Sequence, residues 1–78
     1  MKQINVLTFG AITDIVGNSS FVVSDIDSTD ILMKRLEEQY PPLKTINYAI
    51  AVDKQIVTSD TALQSQSTVA ILPPFSGG

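Results

Sequence analysis

Thr68-Val69-Ala70-Ile71-Leu72-Pro73-Pro74-Phe75-Ser76-Gly77-Gly78 is the stretch that decides the fold of this 78-residue chain. Val69 to Leu72 is an unbroken run of β-favouring apolar residues, so Ser67 to Leu72 reads as a strand. Pro73-Pro74 cannot extend a ladder, because proline has no amide donor. Beyond it lies a short segment whose tip has no side chains. The expected organisation is therefore a packed domain over residues 1–72 and a flexible Gly-Gly tail over 73–78. Six extended residues reach at most about 20 Å, enough to carry the tip into another protein's active site. No charged side chain follows Asp60, so the terminal carboxylate stands alone there. Two readings of this stay open: buried strands hold few charges, and a tail that enters a partner gains by carrying no ion pairs.

Composition narrows the chemistry. The chain has no Cys and no His. A Ser-His-Asp triad, a cysteine nucleophile and a zinc site built on Cys or His are all excluded. The best remaining candidate for covalent chemistry is the carboxylate of Gly78. With a reference pKa of about 3.5 it is ionised near neutral pH. It is also a poor acylating group until activated, and attack on the α-phosphate of ATP to give an acyl-adenylate is the direct route. No side-chain cluster suggests a bound cofactor; ATP would be used by the activating enzyme. The net charge of −3 disfavours nucleic acid as a partner. No apolar run approaches the length of a membrane span, and residues 1–10 lack the apolar core of a secretion leader. With no Cys for disulfides, the expected location is the cytoplasm.

Ile4 to Phe9 reads as a strand with apolar residues on both faces, as if covered on two sides. Ile12, Ile15 and Val16 are spaced for a short helix over Ala11 to Val16, stopped at Gly17. Phe21-Val22-Val23 predicts a second strand. Asp25, Asp27 and Asp30 lack the glycine and distal glutamate of a calcium loop, so they read as helix-capping charge. Leu32, Met33, Leu36 and Tyr40 form the apolar stripe of a helix from about Thr29 to Tyr40, ended by Pro41-Pro42. Leu43 to Asn47 reads as a connector. Tyr48 to Val52 and Ile56-Val57 form a hairpin about Asp53-Lys54-Gln55, and Ser59 to Gln66 reads as a loop with a single helical turn. The order β-β-α-β-β-β with one main helix predicts an α+β β-grasp, or ubiquitin-like, fold: a mixed sheet of about five strands with the helix on one face.

The residues also resemble a known family. Val6-Leu7-Thr8-Phe9-Gly10-Ala11, then Asp14-Ile15-Val16-Gly17, the hairpin Val52-Asp53-Lys54-Gln55-Ile56-Val57, Leu63, and the closing run from Val69 to Gly78 are similar to the sulfur-carrier small subunits of molybdopterin synthase. The similarity runs the whole length of the chain. Two turns depart from it: Gln64-Ser65-Gln66-Ser67 replaces a frequent Asp-Gly-Asp, and Asp53 replaces a common Asn.

The resemblance implies a function. A ubiquitin-activating-like adenylyltransferase would adenylate Gly78, and a sulfur donor would convert it to a thiocarboxylate. The tail would then enter the large synthase subunit, where sulfur passes to cyclic pyranopterin monophosphate. On this reading Gly78 carries the reacting carbonyl and Gly77 lets the tip fit. Pro73, Pro74, Phe75 and Ser76 form the inserted segment, and the catalytic side chains lie on the large subunit. The complex would be a dimer of such pairs. The alternatives are a sulfur carrier for thiamin thiazole synthesis and a ubiquitin-like modifier or binding module.

A partner surface follows from strand alternation. If Ile4, Val6, Val69 and Ile71 face the helix, then Leu7, Phe9, Ala70 and Leu72 line the opposite face. Phe9 and Leu72, with Ile56 nearby, match positions that the resembled family sets against its large subunit. The competing expectation is that Ala11 to Val16 covers this face.

Overall fold

The computed structural model describes residues 2–73. The strands are β1 (Gln3–Thr8), β2 (Ser20–Ser24), β3 (Ala49–Val52), β4 (Gln55–Val57) and β5 (Thr68–Leu72), and the helices are α1 (Ala11–Val16) and α2 (Thr29–Gln39). They form one sheet in the order β2-β1-β5-β3-β4. β1 and β5 run parallel at its centre, with Val6 opposite Val69 and Thr8 opposite Ile71. The outer pairs are antiparallel. The expected β-grasp architecture is present.

Period-two alternation places Ile4, Val6, Val69 and Ile71 on the inner face, where all four are fully buried. Across from them α2 buries Leu32, Met33 and Leu36, and Tyr40 packs on the edge of the same cluster. The helix starts at Ser28, whose hydroxyl accepts the Ile31 amide at 3.4 Å. A second cap comes from a distant loop: the Asp60 carboxylate accepts the Asp30 amide at 3.0 Å. Chiefly through that bond, the pKa of the Asp60 carboxyl is held below its ordinary value. The helix ends at Gln39, one residue short of the expected Tyr40, because Pro41 and Pro42 supply no amides.

Three expectations are corrected. The segment after α2 is not a plain connector: Pro41–Thr45 forms a 3₁₀ turn that drives Leu43 fully into the core. The loop 59–66 holds no helical turn. Its backbone instead bridges Ala62 to Ser28 and buries Leu63. Among the described residues, β1 is also covered on one side only. Helix α1 sends Ile12 and Val16 into the inner core and packs on the 3₁₀ turn, so it leaves the outer face bare.

Residues 64–67 form a tight turn. The Ser67 amide donates to the Gln64 carbonyl at 3.0 Å, and the Ser67 hydroxyl accepts the Gln64 amide at 3.0 Å. Gln66 has φ 72, the left-handed third position of a type II turn. Glutamine therefore occupies a site that glycine ordinarily fills.

Candidate functional site

The site begins where β5 ends. Because β5 is a central strand, hydrogen-bonded on both sides, its last residue Leu72 is firmly placed opposite Ala49. Pro73 follows and is partly buried against Gly10. Gly10 lies between β1 and α1 with φ 56 and ψ −131, a conformation that L-residues avoid. A Cβ built on it would stand 3.2 Å from Cγ of Pro73. The glycine thus makes room for the proline ring at the point where the chain leaves the sheet. Pro74, Phe75, Ser76, Gly77 and Gly78 lie outside the described residues, so their expected roles rest on the sequence.

Beside this exit is the outer face of the sheet. Leu7, Ala70, Ala51 and Ile56 form one cross-strand row, joined by the pairs Leu7–Ala70, Ala51–Ala70 and Ala51–Ile56. Leu72 and Ala49 form the next row towards the exit. Phe9, just past β1 on the same side by alternation, is 44% exposed, and Ile56 is 58% exposed. Val22, opposite Asn5 on the same face, is a further exposed apolar residue that the sequence reading did not single out. Its signal was available in the alternation of β2, where Phe21 and Val23 point inward. The three expected interface residues thus fall on one face, close to the exit of the tail. Among the described residues no element covers this face, which leaves an exposed apolar patch.

Two concavities among the described residues differ in chemistry. A shallow cavity of about 270 Å³ on the outer face is lined by Leu7, Thr68, Ala70 and the hairpin tip Asp53-Lys54. A larger one, about 390 Å³, sits at the β4 edge beside Tyr48, Ile56 and Asp30. Near it the Tyr48 hydroxyl donates to Glu37 at 2.6 Å. Burial, then that carboxylate, push the phenol well above its ordinary value. This arrangement holds the phenolic proton tightly. Among the described residues no group of three His, Cys, Asp or Glu side chains is placed to hold a metal. No helix there is long and apolar enough to cross a membrane.

Known proteins align with this arrangement along nearly the full chain. The molybdopterin synthase sulfur carrier subunit of Dictyostelium discoideum is 26% identical, over 99% of this chain and 98% of that protein. Subunit 1 in the Helicobacter pylori complex of subunits 1 and 2 of molybdopterin-converting factor has a TM-score of 0.73 at 24% identity, covering 97% of this chain and 99% of that one. The small archaeal modifier protein 1 of Methanosarcina acetivorans has a TM-score of 0.83 at 21% identity, covering 100% and 98%. These two solved structures share the fold. The ThiS family model matches residues 6–78, from the middle of β1 through the Gly-Gly end, and the chain therefore belongs to the ThiS family.

Proposed function

We propose that this chain is the sulfur-carrying small subunit of a molybdopterin synthase and that its reacting atoms are those of the Gly78 carboxylate. One observation supports the reading: a central strand delivers the chain to Pro73 beside an apolar face that no described element covers. A partner docked on that face is positioned to receive the tail. The full-length similarity to a molybdopterin synthase sulfur carrier subunit favours this acceptor over the others.

The chemistry proceeds in balanced steps. A carboxylate oxygen of Gly78 attacks the α-phosphorus of ATP on an adenylyltransferase, and pyrophosphate leaves. A donor at the sulfide oxidation level attacks the acyl carbon; AMP leaves and a thiocarboxylate remains. In the large subunit this sulfur attacks an electrophilic carbon of cyclic pyranopterin monophosphate; the C–S bond forms as that carbon's bond to a substrate oxygen breaks, and the departing oxygen takes up a proton. Water then cleaves the acyl–sulfur bond and restores the carboxylate. The chain's own contribution is positioning. Pro73 has a fixed φ, so less conformational entropy is lost when the tail is ordered in the partner. The small-residue tip admits the acyl carbon to a narrow site. Adenylation places this cycle in the ATP-containing cytosol.

The modifier reading uses the same acyl-adenylate with a lysine amine in place of sulfur, and the fold alone is compatible with it. Deleting Gly78 separates a terminal acyl carrier from a simple binding module. The truncated chain is expected to fold and still bind the large subunit, while dithiolene formation in the reconstituted synthase is abolished. Retained activity would overturn the proposal.

A further inference from the structure

No strand of the sheet contains a charged residue; all the charges lie on helices, loops and turns. Among the described residues, charge reaches the outer-face cavity of about 270 Å³ at the β3–β4 hairpin tip, where Asp53 and Lys54 line it. Asp53 has a clear structural task. Its amide donates to the Thr68 carbonyl at 2.8 Å and its carboxylate accepts the Thr68 amide at 2.9 Å, tying the turn to β5. Lys54 has none. Among the described residues it forms no ion pair, the one such pair being Lys2–Asp27.

The backbone makes Lys54 more unusual. Asp53 has φ 48 and Lys54 has φ 74, the pattern of a type I′ turn. Aspartate is a common first residue there, but glycine is the favoured second residue. A lysine is therefore held in a disfavoured conformation at the lip of an apolar cavity, and among the described residues its ammonium gains no ion pair in return. A local rule broken without structural compensation is the signature of a functional position.

Resting on the reading that the outer face docks a protein, we propose that Lys54 is a specificity-determining contact. The partner fills the cavity with an apolar side chain and sets a carboxylate against the Lys54 ammonium. A cation at the rim of an apolar interface steers encounter and rejects wrongly charged surfaces. The alternative, a lysine that merely keeps the hairpin soluble, would change aggregation and not affinity.

The test measures binding of the purified large subunit of the cognate synthase to wild type, Lys54→Glu, Lys54→Gly and Phe9→Asp at low and high salt, with a melting curve for each. Lys54→Glu is expected to weaken binding roughly threefold to tenfold at low salt, and less as salt rises. Lys54→Gly should melt higher than wild type, because glycine fits φ 74, and yet bind more weakly. That opposition rules out misfolding as the cause. If both Lys54 variants bind like wild type while Phe9→Asp does not, the Lys54 contact is overturned and the docking face stands. If wild type fails to bind, or Phe9→Asp binds as well as wild type, the docking face falls and this inference with it.

Discussion

Replacing Gly10 with alanine perturbs the junction where the chain leaves the sheet, and the size of the effect follows from two geometric facts. At φ 56 and ψ −131 the alanine would occupy a region nearly reserved for glycine, a strain of about 1–3 kcal/mol. Its methyl group would also stand 3.2 Å from Cγ of Pro73, so the ring must yield by a few tenths of an ångström. Against this, alanine restricts the unfolded chain and returns about 0.4–1 kcal/mol. The net expectation is a loss of about 1–2 kcal/mol. For a domain of this size each kcal/mol moves the melting temperature by about 4–8 °C. Thermal unfolding followed by circular dichroism should therefore show Gly10→Ala melting about 4–16 °C below wild type. The same substitution in a Pro73→Ala background separates the two contributions: removing the ring relieves the contact and leaves the backbone strain. An unchanged melting temperature for Gly10→Ala would show that the turn relaxes freely and that Gly10 does not fix the exit.

Further outcomes can be checked independently. Phe9→Asp should fold, since the side chain is already 44% exposed. It should weaken binding of the large subunit by more than about a hundredfold, because docking would bury an unpaired carboxylate; calorimetric titration measures this. Asp60 is held below its ordinary value of 3.8, first by the Asp30 amide, so its stabilising effect is full above that value. The effect is lost as pH falls through the lower folded value. Asp60→Asn should accordingly flatten the acid limb of a stability–pH curve below about pH 4, and an unaltered limb would contradict the capping role. Leu43→Ala should cost roughly 2–5 kcal/mol in denaturant unfolding, as expected for a fully buried leucine.

Much of this was legible where physics is local. Ile4 and Val6, and Val69 and Ile71, declared the inner face through simple alternation, and the Leu32–Leu36 stripe declared the helix. What resisted reading depends on residues far apart in the chain. Leu43 sits alone between prolines and polar residues, so no periodicity marked it as core; a 3₁₀ turn carries it inward. Asp60 caps α2 from a loop that propensity made look helical, and only the tertiary meeting of Thr61 with Thr29 explains its extended form. Gly10 advertised a turn, but its role beside Pro73 needs both ends of the fold. The exposure of Phe9 was ambiguous because alternation shows that a face is apolar and cannot show whether anything covers it. Lys54 looked like an ordinary hairpin residue until its φ was known. For the tail, Pro73 is placed, and the chemistry assigned to Gly77 and Gly78 rests on residue type.

The most direct measurement is the intact mass of the protein after incubation with ATP, the adenylyltransferase and a sulfide-level donor. A carrier gains the mass difference between sulfur and oxygen, located by fragmentation at Gly78 and lost again on transfer to the acceptor. An unchanged mass, or a chain joined through Gly78 to lysines of other proteins, would contradict sulfur transport by this carboxylate.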